Sequence, residues 1–314
     1  MSTTAFNLPS FAKVNWSLRV LGKRSDGYHE VSTVLQTISL HDELSFSARE
    51  TQEIVLSCSD PKIPLDEGNL IVRAANALRE RFDVAAGATI HLEKRIPAKG
   101  GLGGASSNAA VALLGLSQLW SLSLDLAQLQ EIGARLGADV PFFFVGGCAL
   151  ATGTGTDIVA LSDEEQRYLV IVAPNATVAT AKAYEALKAP ALTTLSEASI
   201  LSISRAAADL ELSRLCALHN DFEEVIFASE PEIGRAREAL LEVGAGSSLL
   251  AGSGSSVFGI FDSKEEQERA IREMEAETGW RVFPAITVSH DEYLRALSTS
   301  GVPLSRSEKR SRSK

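Results

Sequence analysis

The densest glycine cluster in the chain, Pro97-Ala-Lys-Gly-Gly-Leu-Gly-Gly-Ala-Ser-Ser107, opens directly into an alanine- and leucine-rich stretch of helical character. Glycines let a backbone approach an anion and aim successive N–H groups at it, and the positive end of a following helix favours negative charge. A polyphosphate would sit well there, although a glycine turn followed by a helix cap would read the same. Ser106 and Ser107 fall where a hydroxyl can cap helix N–H groups, reach phosphate oxygens or meet a metal ion. Two common phosphate loops are disfavoured: no Lys-Ser or Lys-Thr pair follows the glycines, and the spacing is not a G-x-G-x-x-G closed by an acidic residue. A second cluster, Ala251-Gly-Ser-Gly-Ser-Ser-Val257, reads by itself as a turn between two apolar runs.

The elements around these loops can be placed from periodicity. Val14, Trp16, Leu18 and Val20 alternate with Asn15, Ser17 and Arg19, the period of a half-buried strand, which puts Lys13, Asn15 and Ser17 on one face. The turn Asp26-Gly27 leads into a second strand-like run, 28–40, predicting an antiparallel pair. Further strands are expected at 43–48, 53–58 and 88–93, and a helix over 69–82. After the glycine loop, helices are expected over 106–120 and 124–136, the second ending at Gly137, with Asp139-Val-Pro-Phe starting a new element. The stretch 151–157, followed by an acidic run, reads as a lobe junction. Beyond it, helical patterns (180–187, 196–208, 232–243, 264–277) alternate with strands (168–173, 248–251, 257–261, 281–288), arguing for an α+β lobe of helices over a mostly antiparallel sheet.

At 314 residues the chain suits two packed lobes, and 45% apolar with 22% charged residues is ordinary for a folded protein. The division expected is a first lobe over 1–160, a second over 161–300, and a basic, solvated tail over 301–314. A net charge of −10 disfavours a nucleic-acid surface. Cys58, Cys148 and Cys216 lie far apart without a C-x-x-C pair, so neither a disulfide framework nor a zinc site is expected, and a reducing cytoplasm fits. Residues 1–6 lack a basic stretch leading into an apolar one, so no secretory leader is expected. The most apolar segment, 140–151, is interrupted by Pro141, Gly146 and Gly147 and is far short of the roughly 20 residues a membrane span needs.

Taken in order, Lys13-Val-Asn15, the Pro97–Ser107 loop, Gly137-Ala-Asp-Val-Pro-Phe142 and Gly252-Ser-Gly254 resemble the motifs of the GHMP kinase superfamily along nearly the whole chain. The blocks Phe11–Leu18, Asp26-Gly-Tyr-His-Glu30 through Gln36, Gly100–Ala110 and Gly137–Pro141 narrow the resemblance to those members that act on a cytidine-diphosphate-linked methylerythritol. Two departures are Ala105, where glycine is commoner, and Trp16, where a smaller aliphatic residue is usual. The resemblance implies a two-lobe fold: an N-terminal lobe like ribosomal protein S5 domain 2 and a C-terminal ferredoxin-like α/β lobe. It implies transfer of the ATP γ-phosphoryl group to the 2-hydroxyl of the acceptor, with Mg²⁺ carried in by ATP rather than held in a protein metal site.

Residue by residue, Asp139 matches the catalytic aspartate, a carboxylate that can take the proton of the acceptor hydroxyl as its bond to phosphorus forms. Lys13 matches the active-site lysine, which would stabilise the developing alkoxide or the transferring phosphoryl group. The loop Pro97, Ala98, Lys99, Gly100, Gly101, Leu102, Gly103, Gly104, Ala105, Ser106 and Ser107 is implied to bind ATP. Asn15 is implied to contact the acceptor polyol. Tyr28 and His29 are implied to stack on and hydrogen-bond cytosine, and Thr180 and Tyr184 resemble the far side of that pocket. The expected partners are ATP and the small-molecule acceptor, with no nucleic acid or membrane, in a monomer or weak homodimer. Two rivals stay open: another GHMP kinase of homoserine or mevalonate type, and a non-catalytic nucleic-acid-binding module, since the first lobe is similar to a ribosomal-protein domain and the tail is basic.

Overall fold

The computed structural model describes residues 5–192 and 218–298. The helix expected over 196–208, Cys216 and the tail over 301–314 lie outside the described residues.

The first sheet is built on a long antiparallel ribbon, β1 (Phe6–Lys23) against β2 (His29–Arg49). Both strands outrun the stretches that alternate in sequence, and the runs 28–40 and 43–48 fuse into one strand. Register shifts at Phe11/Ala12, Asn15/Ser17 and Val20/Gly22 explain this: bulges keep the ribbon paired while breaking the strict period of two. β3 (Ile54–Cys58) and β4 (Gly87–Glu93) extend the sheet in the order β3-β4-β2-β1, and β8 (His219–Asn220), arriving from the second half of the chain, pairs in parallel with β1.

Helices α1 (Leu70–Phe82), α2 (Gly104–Leu119) and α3 (Leu126–Leu136) pack with this sheet. Asn69 caps α1 by accepting from Ile71 N at 2.9 Å, and Asp125 with Gln128 forms a capping box on α3. By contrast α2 is buried along Ser107–Ser117 and makes no side-chain hydrogen bond at its Gly103 N-cap.

The stretch 151–157 is not itself the crossing between lobes. It is the turn of a hairpin, β5 (Cys148–Thr152) with β6 (Asp157–Ala160), held to the first sheet where Gly153 O accepts from Val31 N at 2.8 Å. The chain crosses over through 161–167 into a fully antiparallel second sheet, ordered β11 (Arg281–Ile286), β7 (Tyr168–Ala173), β10 (Val257–Phe261) and β9 (Ser247–Leu250). Helices α4 (Thr180–Leu187), α5 (Glu223–Ser229), α6 (Pro231–Glu242) and α7 (Lys264–Met274) belong to this lobe, where Val170, Val172, Phe222, Ile233, Leu240 and Phe261 share a core.

The sheet's other residues, Leu169, Ile171, Leu249 and Phe258, pack against Ala12, Val14, Ile38 and Leu102 of the first lobe, so an apolar seam joins the lobes. Trp16 meets the edge of Phe258 across it at 5.8 Å, which gives its larger ring a place. The last helix, α8 (His290–Ser298), returns to the first lobe, where Tyr293 and Leu297 are fully buried and Tyr293 OH donates to Phe143 O.

Candidate active site

The glycine loop is shaped by contacts that leave no room for side chains. Gly101 and Gly103 adopt φ of +75° and +71°, and a Cβ at Gly101 would lie 1.9 Å from Ala251 O. A Cβ at Gly103 would strike Lys13 Cγ and Phe143 Cζ, each at 2.9 Å. Leu102 O accepts from Lys13 N at 2.9 Å and Gly100 O from Ser256 N at 3.1 Å, so the loop lies between β1 and the second glycine cluster. Because no side chain caps α2, the positive end of that helix opens on the loop.

Within the loop, Ala98, Lys99 and Ala105 are exposed and Pro97, Gly100 and Leu102 are buried. Ser106 lies on the Asp139 side, its Oγ 3.7 Å from a Cβ placed on Gly137. Ser107 departs from the expectation of a ligand contact. It is fully buried, 2.8 Å from Ser10 Oγ, which in turn donates to Asn108 Oδ1 at 2.6 Å. The helical turn that sets Ser106 near Gly137 carries Ser107 toward β1.

Lys13 and Asp139, 126 positions apart in sequence, meet: Lys13 Nζ lies 3.4 Å from Asp139 Oδ2, the lysine buried and the carboxylate 38% exposed. Asp139 stands at the start of a 3₁₀ turn, Val140–Phe144, whose side chains are all buried, so the carboxylate projects from a fixed base. Lys13 Nζ also donates to Asn15 Oδ1 at 3.0 Å, and Asn15 Nδ2 donates to Thr33 Oγ1 at 2.8 Å. The shared strand face thus becomes a buried polar chain that orients the ammonium.

His29 and Tyr184 stack with ring centroids 4.7 Å apart and planes 24° from parallel, bringing β2 of the first lobe to α4 of the second. The Tyr184 hydroxyl is pushed up to about 12 by burial, with the Asp139 carboxylate adding to the effect, and burial followed by Lys23 lowers the His29 imidazole. Tyr28 is 66% exposed beside this pair. Thr180 Oγ1 lies 3.1 Å from Ser253 Oγ, on a cleft of about 800 Å³ lined also by Lys99, Gly101, Lys182 and Gly254. Lys13 and Asn15 beside Gly252, His29 stacked on Tyr184 and Thr180 beside Ser253 therefore place expected residues from both lobes where the lobes meet.

Sequence reasoning missed two supports. The first is a buried ion pair under the loop: Asp42 Oδ1 accepts from Arg95 N at 2.7 Å and Ile96 N at 2.8 Å, and Lys94 Nζ reaches Oδ2 at 2.9 Å. Burial lowers the Lys94 ammonium pKa while Asp42 opposes the shift. Lys94, three positions before Pro97, was the available signal. The second is the contact made by the glycine cluster at 251–256, which reads by itself as a turn and joins the motif set only by its order; Gly252 faces Lys13 Nζ, which would lie 3.3 Å from a Cβ there. Nothing local distinguishes that turn from any other.

Comparison with known proteins agrees with this arrangement. Residues 69–147 match the GHMP kinases N terminal domain and residues 203–279 the GHMP kinases C terminal domain. The chain is 42% identical over 273 residues to a 4-diphosphocytidyl-2-C-methyl-D-erythritol kinase of Synechococcus sp. (strain JA-3-3Ab), covering 85% of this chain and 88% of that one. It is 40% identical over 270 residues to the like-named protein of Citrifermentans bemidjiense, covering 86% and 94%. A crystal structure of a 4-(cytidine 5'-diphospho)-2C-methyl-D-erythritol kinase superposes with a TM-score of 0.72 at 32% identity over 90% of this chain and 99% of that one. A homoserine kinase from Cytophaga hutchinsonii, at 19% identity and a TM-score of 0.64, shares the fold. With the lysine–aspartate pair, both glycine loops and both lobes in place, the chain belongs to the 4-diphosphocytidyl-2-C-methyl-D-erythritol kinase family of the GHMP kinases.

Proposed function

We infer that this chain transfers the γ-phosphoryl group of ATP to the 2-hydroxyl of 4-diphosphocytidyl-2-C-methyl-D-erythritol, in the non-mevalonate route to isoprenoids. The observation that carries this reading is the 3.4 Å Lys13–Asp139 pair, seated beside an uncapped helix N-terminus and facing the seam between the lobes. Asp139 accepts the acceptor's hydroxyl proton as oxygen attacks phosphorus, and Lys13 stabilises charge on the transferring group. Asn15 holds Lys13 and offers its amide to the polyol. Oxygen ligands beside the glycine loop, the part-exposed Asp139 carboxylate and the Ser106 hydroxyl, suit a hard cation, so the site fits Mg²⁺ delivered on the ATP phosphates and neutralising them.

The His29–Tyr184 ring pair favours a nucleobase-bearing acceptor over the homoserine or mevalonate alternatives, since neither of those offers a ring to stack. ADP release with Mg-ATP should therefore depend on the cytidyl acceptor and not occur with homoserine or mevalonate; turnover with a control alone would overturn the substrate assignment. CDP should compete with the acceptor. Tyr28→Ala is expected to raise acceptor KM about 5- to 100-fold, the equivalent of one lost stacking contact, and leave ATP KM unchanged. An unaltered acceptor KM in that variant would remove Tyr28 from the pocket.

A further inference from the structure

We propose that Asn220 is a positioning residue for phosphoryl transfer: it holds the Gly252 carbonyl, seating the second glycine loop on Lys13 and turning the Ser253 N–H toward the cleft. The proposal rests on the kinase reading of that cleft.

Asn220 is 3% exposed and its amide is fully engaged. Nδ2 donates to Leu250 O at 2.9 Å and to Gly252 O at 2.7 Å, while Oδ1 accepts from Phe222 N at 3.0 Å. Two donors and one acceptor on one planar group match the amide of asparagine, whereas an aspartate would set oxygen against two carbonyls. Its backbone is fixed as well. Asn220 pairs with Leu18 of β1, Asp221 N donates to Leu18 O at 3.0 Å, and Asp221 Oδ2 accepts from Val20 N at 2.6 Å. The strand carrying Lys13 and Asn15 is thus the same strand that anchors Asn220.

The far side of the loop meets the chemistry. Gly252 has φ of +56°, and a Cβ there would lie 2.9 Å from Gly101 O, 3.3 Å from Lys13 Nζ and 3.6 Å from Asn15 Oδ1. The loop is held between Asn220 behind and the lysine and first glycine loop in front. A trans peptide directs its carbonyl and the following N–H in opposite senses. With the Gly252 carbonyl drawn onto Asn220, the Ser253 N–H turns away from Asn220, and Ser253 and Gly254 line the cleft beside Thr180 and Lys99. The peptide two steps earlier behaves the same way: Leu250 O is held by Asn220 and Ala251 N donates to Ser256 O at 2.9 Å, closing the loop. The result is a backbone donor available to a phosphoryl oxygen, opposite the N-terminus of α2.

The test compares Asn220→Ala with Glu223→Gln in the full chain. Glu223 Oε1 accepts from Leu250 N at 2.8 Å, so that variant replaces a carboxylate acceptor on the same strand with a weaker neutral amide without touching Gly252. Asn220→Ala is expected to lower kcat about 30- to 100-fold, the scale of losing one preorganised donor, with acceptor KM nearly unchanged. Glu223→Gln should keep kcat within about threefold even where its thermal midpoint falls as far. Gly252→Ala, which leaves Asn220 in place but presses on Gly101 O and Lys13, should reproduce the kcat loss, and the double variant should be no worse than the stronger single one. An Asn220→Ala enzyme with normal kcat, or equal losses in Asn220→Ala and Glu223→Gln, overturns the proposal. Should Asn220→Ala fail to fold, normal kcat in Gly252→Ala overturns it instead. Wild-type turnover run in parallel separates the two levels: an inactive wild type overturns the kinase reading and this proposal with it, whereas an active wild type beside an active Asn220→Ala overturns only the role of Asn220.

Discussion

Asp139→Ala is expected to lower kcat by about 10²- to 10⁴-fold, the range spanned by a positioned proton acceptor, while ATP KM stays within a few-fold. The separation follows from geometry. Asp139 projects, 38% exposed, from a buried 3₁₀ turn and lies 3.4 Å from Lys13, whereas the phosphate loop is held by backbone contacts to Lys13 N and Ser256 N. Removing the carboxylate therefore takes away the proton acceptor and frees the ammonium without unseating ATP. Phosphoryl transfer through a loose transition state demands little base strength, so much of the loss arises from misplacement of the acceptor oxygen and of Lys13. Since the two side chains act as a unit, Lys13→Met combined with Asp139→Ala should cost little more than either alone. Steady-state ADP release with both substrates varied gives all of these quantities. Near-normal turnover in Asp139→Ala would end its assignment as base.

Asp42→Ala should be the most destabilising single change at the site, by about 3–5 kcal/mol, because it strands a buried ammonium. It also leaves the N–H groups of Arg95 and Ile96 without their acceptor. Lys94→Met should cost less, since the carboxylate keeps both backbone partners. In Asp42→Ala the Lys94 ammonium loses the largest influence that opposes its desolvation, keeping only the smaller ones of Cys58 and Asp60, so its pKa falls further. With the folded-state pKa lying further below the unfolded one, the unfolded chain binds more protons, so the deficit in Asp42→Ala should shrink as pH rises toward the ordinary lysine value. Denaturant unfolding at neutral and alkaline pH measures both the size and the slope; equal stability of Asp42→Ala and wild type would show that the pair does not support the loop. Because Lys94 Nζ also donates to Ile96 O just before Pro97, ATP KM should rise in this variant while acceptor KM does not.

Both predictions concern residues whose partners are distant in the chain, and that separates what could be read early from what could not. Local periodicity placed the helices over 70–82, 104–119 and 126–136 to within a few residues, because each rests on spacing and end signals contained in its own stretch. Motif order likewise brought Lys13, Asp139 and both glycine loops into one reading. Strand length was harder: bulges in β1 interrupt the alternation, so a ribbon of 18 residues showed only its regular centre.

The amino-acid sequence by itself determined two lobes, the helix that opens from the glycine loop, and the residue types that phosphoryl transfer needs. Only the tertiary structure decided that Ser107 turns inward to Ser10, that 290–298 returns to the first core, that Asp42 braces the phosphate loop, and that the second glycine cluster lies on Lys13 with Asn220 behind it. The physical reason is common to all four. Each depends on a contact between groups more than 30 positions apart, whose formation is set by how sheets pair and lobes pack across an apolar seam, and no residue's neighbours along the chain carry that information.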